Sequence, residues 1–170
     1  MRLILFTTLA LSMLSADSGV LDITWPRPNK ATLKPVAPYP VVLQEGTKNV
    51  HLPVYLTKSM AYDKNMVVVS GANFYSISME LEGASLLFEG DKTFQESVNP
   101  KNPEFQKIVK ASPTVEYIQA EGMMTAEFNR HGVNYAITIE CESPKTDKRC
   151  TEKSLIETLY SGLIMVGGRP

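Results

Sequence analysis

The strictest pattern in the chain runs from Val133 to Cys141, where Val133, Tyr135, Ile137, Ile139 and Cys141 alternate with Asn134, Ala136, Thr138 and Glu140. Period-two alternation over nine residues specifies a strand with one buried face. Cys141 falls in the apolar set, so it points inward at the end of that strand. Met123–Phe128, after Gly122, predicts the strand before it. Asn129, Arg130, His131 and Gly132 form the connection, a four-residue set suited to a type I turn closed by glycine. Because the turn is polar and carries one of two histidines, it is the candidate partner-binding turn.

Cys141 and Cys150 are the only cysteines, and a polar, proline-containing loop separates them. In an oxidising compartment they make one disulfide. Thr151 suits a helix N-cap, with Glu152 in the first turn favouring the helix dipole. Leu155, Ile156, Leu159 and Tyr160 form one apolar stripe of a helix through Tyr160, after which Leu163–Val166 predicts a short strand.

A second clean alternation lies upstream. Tyr75, Ile77, Met79 and Leu81 share one face and Ser76, Ser78, Glu80 and Glu82 the other; Glu82-Gly83 then turns the chain into Ser85–Phe88. Val115–Ala120 predicts another strand. Met66–Val69 predicts a buried one, Val50–Leu56 an edge or crossing segment interrupted by Pro53, and Glu104–Lys110 a short helix. The expected fold is therefore α+β, a mainly antiparallel β meander with a C-terminal helix packed on the sheet. A β-sandwich or partly open barrel is the alternative.

The ends are organised differently. Met1-Arg2, the apolar run Leu3–Leu14 and the small residues Ser15-Ala16 have the layout of a secretory signal peptide over residues 1–16. Cleavage after Ala16 or after Ser18 satisfies the pattern. Residues 17–48 follow as a proline-rich extended arm, with Pro26, Pro28, Pro35, Pro38 and Pro40 in fifteen positions. Residues 49–170 form a single β-rich domain, and Gly167-Gly168 reads as a flexible end. No segment after the signal is apolar for the roughly 18 residues that a membrane span needs. Export to the periplasm or the extracellular space is the expected localisation. The absence of an Asn-X-Ser/Thr sequon favours a bacterial source.

Without residues 1–16 the chain loses only Arg2 from its charges, leaving 16 Lys+Arg against 18 Asp+Glu. That balance argues against nucleic acid as a partner. The chain has no Gly-X-Ser-X-Gly elbow, no His-Glu-X-X-His and no phosphate-cradling glycine loop, so no cofactor or metal is expected. His51 and His131 read as surface or capping residues. Met60, Met66, Met123 and Met124 lack the spacing of a copper(I) site. Glu80, Glu82, Glu127 and Glu140 are the carboxylates that would serve a glycosidase-type reaction, with Glu127 and Glu140 as possible neighbours. Two function classes follow. The first is an exported non-catalytic binding or structural module of the cell envelope, which binds a protein partner, a peptide or a small apolar ligand, with the turn, the arm or a sheet edge as its surfaces. The second is a small carboxylate-dependent hydrolase. An inhibitor or immunity-type protein fits the first class equally well.

Overall fold

The computed structural model describes residues 18–21, 23–26, 37–95, 103 and 114–170. The signal segment, residues 17, 22 and 27–36 of the proline-rich arm and the helix expected over 104–110 lie outside these residues. In chain order the elements are β1 (Ser18–Val20), α1 (Val41–Thr47), β2 (Val54–Thr57), β3 (Val67–Ser70), β4 (Phe74–Leu81), β5 (Ala84–Asp91) and β6 (Thr93–Gln95). They continue as β7 (Glu116–Ala120), β8 (Met123–Arg130), β9 (Val133–Cys141), α2 (Lys148–Thr151), α3 (Ser154–Ser161) and β10 (Leu163–Gly167).

Six strands form one antiparallel sheet in the order β3-β4-β5-β9-β8-β7. Its outermost members pair on one side only, so the sheet is open and the α+β meander, not the barrel, is the fold. The apolar halves of the alternating strands all face one way. Tyr75, Ile77 and Met79 on β4, Leu86 and Phe88 on β5, Met124, Ala126 and Phe128 on β8, and Val133, Tyr135, Ile137 and Ile139 on β9 are buried. Each buried Val, Leu, Ile, Phe or Met among them contributes about 1.5–3 kcal/mol by leaving water.

A mixed layer covers this face. Its centre is the antiparallel ribbon β2–β10, whose β2 residues are all buried. The helices flank it: α1 packs on β3, and α2 and α3 pack on β8 and β9. The arm is expected to stay extended through residue 48, yet Val41–Thr47 at its end is α1. Pro40 sits at the N-cap and its carbonyl accepts the N–H groups of Leu43 and Gln44 at 3.0 and 3.1 Å. Proline interrupts a helix interior but costs little at its start, where no intrahelical donor is needed.

Three further expectations change. The helix after the disulfide starts earlier than Thr151, because the Asp147 carboxylate caps the Arg149 N–H at 2.9 Å and Cys150 already lies in a helical turn. The chain then breaks at Glu152-Lys153 before α3 begins. The Met66–Val69 run does form a strand, Val67–Ser70, but a largely exposed one at the sheet edge with Met66 buried just before it; a four-residue apolar run carries no period that separates the two cases. The C-terminus is tied down, with Gly167 in β10 and the Arg169 N–H bonded to the Val50 carbonyl at 2.9 Å.

The N-terminal segment crosses the ends of the sheet. β1 pairs with β6, the Leu21 N–H bonds the Lys92 carbonyl, and the Thr24 N–H bonds the His131 carbonyl. At the opposite end the Cys141–Cys150 disulfide joins β9 to α2, its Cα atoms 6.3 Å apart. Closing a loop of about ten residues is worth about 2–3 kcal/mol on the chain-entropy model. Replacing both cysteines (Cys141→Ala with Cys150→Ala) is expected to lower the unfolding free energy by that amount, read in urea as a lower midpoint with an equal or slightly larger m-value, because the unfolded chain loses its cross-link; an unchanged midpoint would remove the staple from the stability of the fold.

Candidate functional site

The β8–β9 turn is tighter than a type I turn. Asn129 and Arg130 still belong to β8, pairing with Asn134 and Val133, so the loop is only His131 and Gly132. Both have positive φ, 59° and 81°. Two such residues make the type I′ turn, whose twist matches that of the strands it joins. Glu121 and Gly122 close β7–β8 in the same way, at 51° and 86°.

Nor is His131 simply a surface residue. Its Nε2 lies 3.0 Å from the Tyr55 hydroxyl, and its ring stacks on Tyr55 with centroids 6.3 Å apart. The Arg130 guanidinium rests 5.1 Å from the Tyr55 ring centre, 5.3 Å from Phe128 and 5.6 Å from Tyr160. Beneath them, the Tyr75 hydroxyl accepts the Tyr55 N–H at 3.0 Å, and Tyr135 donates to the Pro53 carbonyl at 2.9 Å. Burial raises the phenol pKa of Tyr55, Tyr75 and Tyr135, so all three stay protonated donors. Burial first and the Arg130 charge second lower the His131 pKa, which keeps the imidazole neutral at pH 7. This cluster docks β2 onto the sheet. It holds no activated nucleophile.

The carboxylates singled out in the sequence do not converge. Glu80, Glu82, Glu127 and Glu140 are all exposed. Glu80 and Glu140 share a cross-strand row through Ser85, two strand spacings or about 10 Å apart. Glu127 faces Ala136, four residues along β9 from Glu140, or about 13 Å, so the suggested neighbours are not neighbours. Glu82 sits in the β4–β5 turn, where its carbonyl accepts from Arg149 at 2.9 Å. The Met66 and Met124 side chains are buried in the core. His51 accepts Lys92 on its carbonyl at 2.8 Å, and its Nε2 lies 3.3 Å from Arg169 Nε. Among the described residues, no group of three or more His, Cys, Asp or Glu side chains has the arrangement of a metal site.

The register assembles a different constellation on the outer face of the sheet. One row crosses it as Val69, Ser76, Glu89, Ala136, Glu127 and Glu116. The next carries Phe74, Asp91, Asn134 and Asn129, the last two joined by an amide hydrogen bond of 3.0 Å. Apart from Val69, these rows line an open cavity of about 720 Å³. Phe74 and Glu116, four strand spacings or about 19 Å apart, both border it, so the groove spans β4 to β7. Among the described residues, four carboxylates and no Lys or Arg line it. Glu116 and Glu127 stand directly opposite each other, a like-charge pair that costs about 0.2–1 kcal/mol. A smaller cleft of about 600 Å³ lies between the Tyr39–Tyr62 pair and the start of α1.

Of the predicted turn, then, Asn129 faces the groove, Arg130 and His131 pack into the aromatic cluster, and Gly132 closes the turn. Sequence reasoning found Glu127 but not Glu89, Asp91 or Glu116, because only the register places them in one cavity. Comparison with family models, curated proteins and solved structures finds no match for this chain.

Two outcomes test the aromatic cluster. Gly90 lies against it, and a Cβ there would stand 2.5 Å from the Tyr75 ring and 2.8 Å from the Tyr135 ring. Gly90→Ala is expected to cost about 1–3 kcal/mol in denaturant unfolding, as overpacking does. For His131, the unfolded chain takes up the imidazole proton before the folded one. Stability is therefore full above the unfolded pKa of about 6.5 and declines as pH falls through the lowered folded value. In His131→Asn, which tolerates positive φ, that part of the acid decline disappears; an unchanged pH profile would remove the histidine from this role.

Proposed function

We propose that the protein is an exported, non-catalytic binding module of the cell envelope, acting in the periplasm or outside the cell. Its recognition surface is the acidic groove on the outer face of the six-stranded sheet, and its partner is a cationic protein segment or peptide. The observation that carries this reading is the Glu116–Glu127 pair, with Glu89 on the same row and Asp91 on the next. No ion pair among the described residues neutralises any of the four. An isolated sheet gains nothing from opposed like charges, whereas a lysine or arginine laid between them would reverse the sign of the interaction. Phe74 and Ala136 supply apolar surface for the stem of such a side chain. Exposed ion pairs are worth only about 0.2–1 kcal/mol each, so recognition relies on several at once and on steering by the negative groove. A disulfide, and the absence among the described residues of a helix long and apolar enough to cross a membrane, are compatible with an exported site of action.

The binding test uses an extended lysine-rich peptide and a glutamate-rich control of equal length, titrated at low salt and near 0.15 M salt (about an 8 Å screening length). The lysine-rich peptide is expected to bind and to shift the amide resonances of β5, β7 and β8. Affinity should fall at least about tenfold, or 1.4 kcal/mol, in Glu89→Gln with Glu127→Gln. Equal response to both peptides, or none, would overturn the reading. The same logic predicts that Glu127→Gln alone stabilises the unliganded protein by a few tenths of a kcal/mol up to about 1, or about 1–4 °C in melting temperature. The leader is tested separately: cleavage after Ala16 leaves β1 intact from Ser18, whereas cleavage after Ser18 removes a residue paired with Gln95. Mass spectrometry of the exported form is expected to find Asp17 at the N-terminus.

A further inference from the structure

The two edges of the six-stranded sheet are not equivalent. β7 carries Glu116 and is followed by Glu121. Charges of this kind are the ordinary protection of an edge against pairing with another strand. β3 has none: Met66-Val67-Val68-Val69-Ser70-Gly71 contains neither charge nor proline. Among the described residues β3 pairs only with β4. The Gly71 N–H bonds the Phe74 carbonyl at 3.0 Å, so the backbone of Gly71 turns towards β4. By the alternation of a strand, Val69 and Val67 do the same, and Met66, Val68 and Ser70 direct their N–H and C=O groups away from the sheet.

Among the described residues, every exposed large apolar side chain except Val20 lies at or near this edge. Val67 and Val69 are each 58% exposed on the outer face, and Phe74, at 41%, adjoins them across the β3–β4 turn. On the inner side, Val68 packs on Gly46 of α1. Val42, one turn before Gly46 on the same helix stripe, and Val41 beside it are exposed as well. Apolar surface thus lies on both sides of a row of backbone groups that no strand among the described residues pairs.

We infer that β3 is a homodimerisation edge: two copies pair antiparallel about a two-fold axis at Val68, joining their sheets into one of twelve strands. An occupant of this edge must be an extended, uncharged, apolar strand with an open side, and β3 is itself such a strand. The two-fold register satisfies both copies at once. Met66 faces Ser70 of the second copy, Val68 faces Val68, and Val67 faces Val69, so the outward-directed backbone groups meet as hydrogen-bonded pairs. No charge is buried. The same operation on β7 would bring Glu116 of one copy beside Glu121 of the other. Four-residue strands alone bury little, and the valines of α1 together with Phe74 extend the contact to the small end of specific interfaces, with a dissociation constant on the order of micromolar. The inference stands on the edge alone and does not depend on what the acidic groove binds.

Sedimentation equilibrium tests it, on protein purified after expression of all 170 residues, over about 1 µM to 1 mM. A reversible dimer is expected. Val69→Lys, at an exposed position, is expected to weaken it at least about tenfold while the circular dichroism spectrum stays native. Ile118→Lys, which puts the same charge on the outer face of β7, should leave the dimer as it is. A monomer across the whole range would overturn the inference, as would a dimer indifferent to Val69→Lys or equally weakened by Ile118→Lys.

Discussion

Everything in this fold depends on β9 keeping one face dry. Nine residues of strand extend about 30 Å, and the five inward side chains along that length form the floor on which the covering layer rests. Its neighbours β5 and β8 add parallel rows on either side, so the buried strip is three strands wide before β4 joins it. A single antiparallel hairpin is marginal in water, and it is this width, covered by β2, β10 and the helices, that makes the strands stable together.

The covering layer is fastened at both ends of β9, by different chemistry. At the Cys141 end a covalent bond holds α2, and the Asp147–Arg149 pair reaches the Glu82 carbonyl in the β4–β5 turn. At the Val133 end the fastening is polar and aromatic. Tyr135 reaches the Pro53 carbonyl, Tyr75 meets the Tyr55 backbone, and His131 meets the Tyr55 hydroxyl. Buried polar groups are costly unless bonded, and none of the buried side-chain nitrogen or oxygen atoms among the described residues lacks a partner. The aromatic end therefore holds β2 with directional bonds where the disulfide end uses loop entropy. Because the histidine belongs to this fastening, it is occupied before any ligand arrives.

What the chain's pattern reveals follows from the same geometry. Alternation is local, so β4, β5 and β9 and the inward orientation of Cys141 could be derived from residues alone, and the α+β meander with its C-terminal helix followed. Turn type was harder. Asn129–Gly132 satisfies a type I turn as a list of residues, but strand twist selects the two-residue form and pulls Asn129 and Arg130 into β8. α1 was hidden by prolines that mark its beginning, and the exposure of β3 by a run too short to have a period. The acidic groove was the least visible feature. Glu89, Glu127 and Glu116 are far apart in sequence, and nothing short of the register Glu89–Ala136–Glu127–Glu116 brings them into line.

A sheet with one face committed to the core has only its other face and its edges left for partners. Here those remainders differ in character: the outer face is acidic at one end, and one edge is apolar while the other is guarded by glutamate. A stable monomer has no need of any of these features. Opposed glutamates reduce its stability, and an unguarded valine edge invites pairing with whatever strand it meets. Both costs fall on residues outside the core, where substitution would relieve them without disturbing the fold. Their presence on surfaces that the covering layer, among the described residues, leaves open is the physical ground on which the two proposals rest.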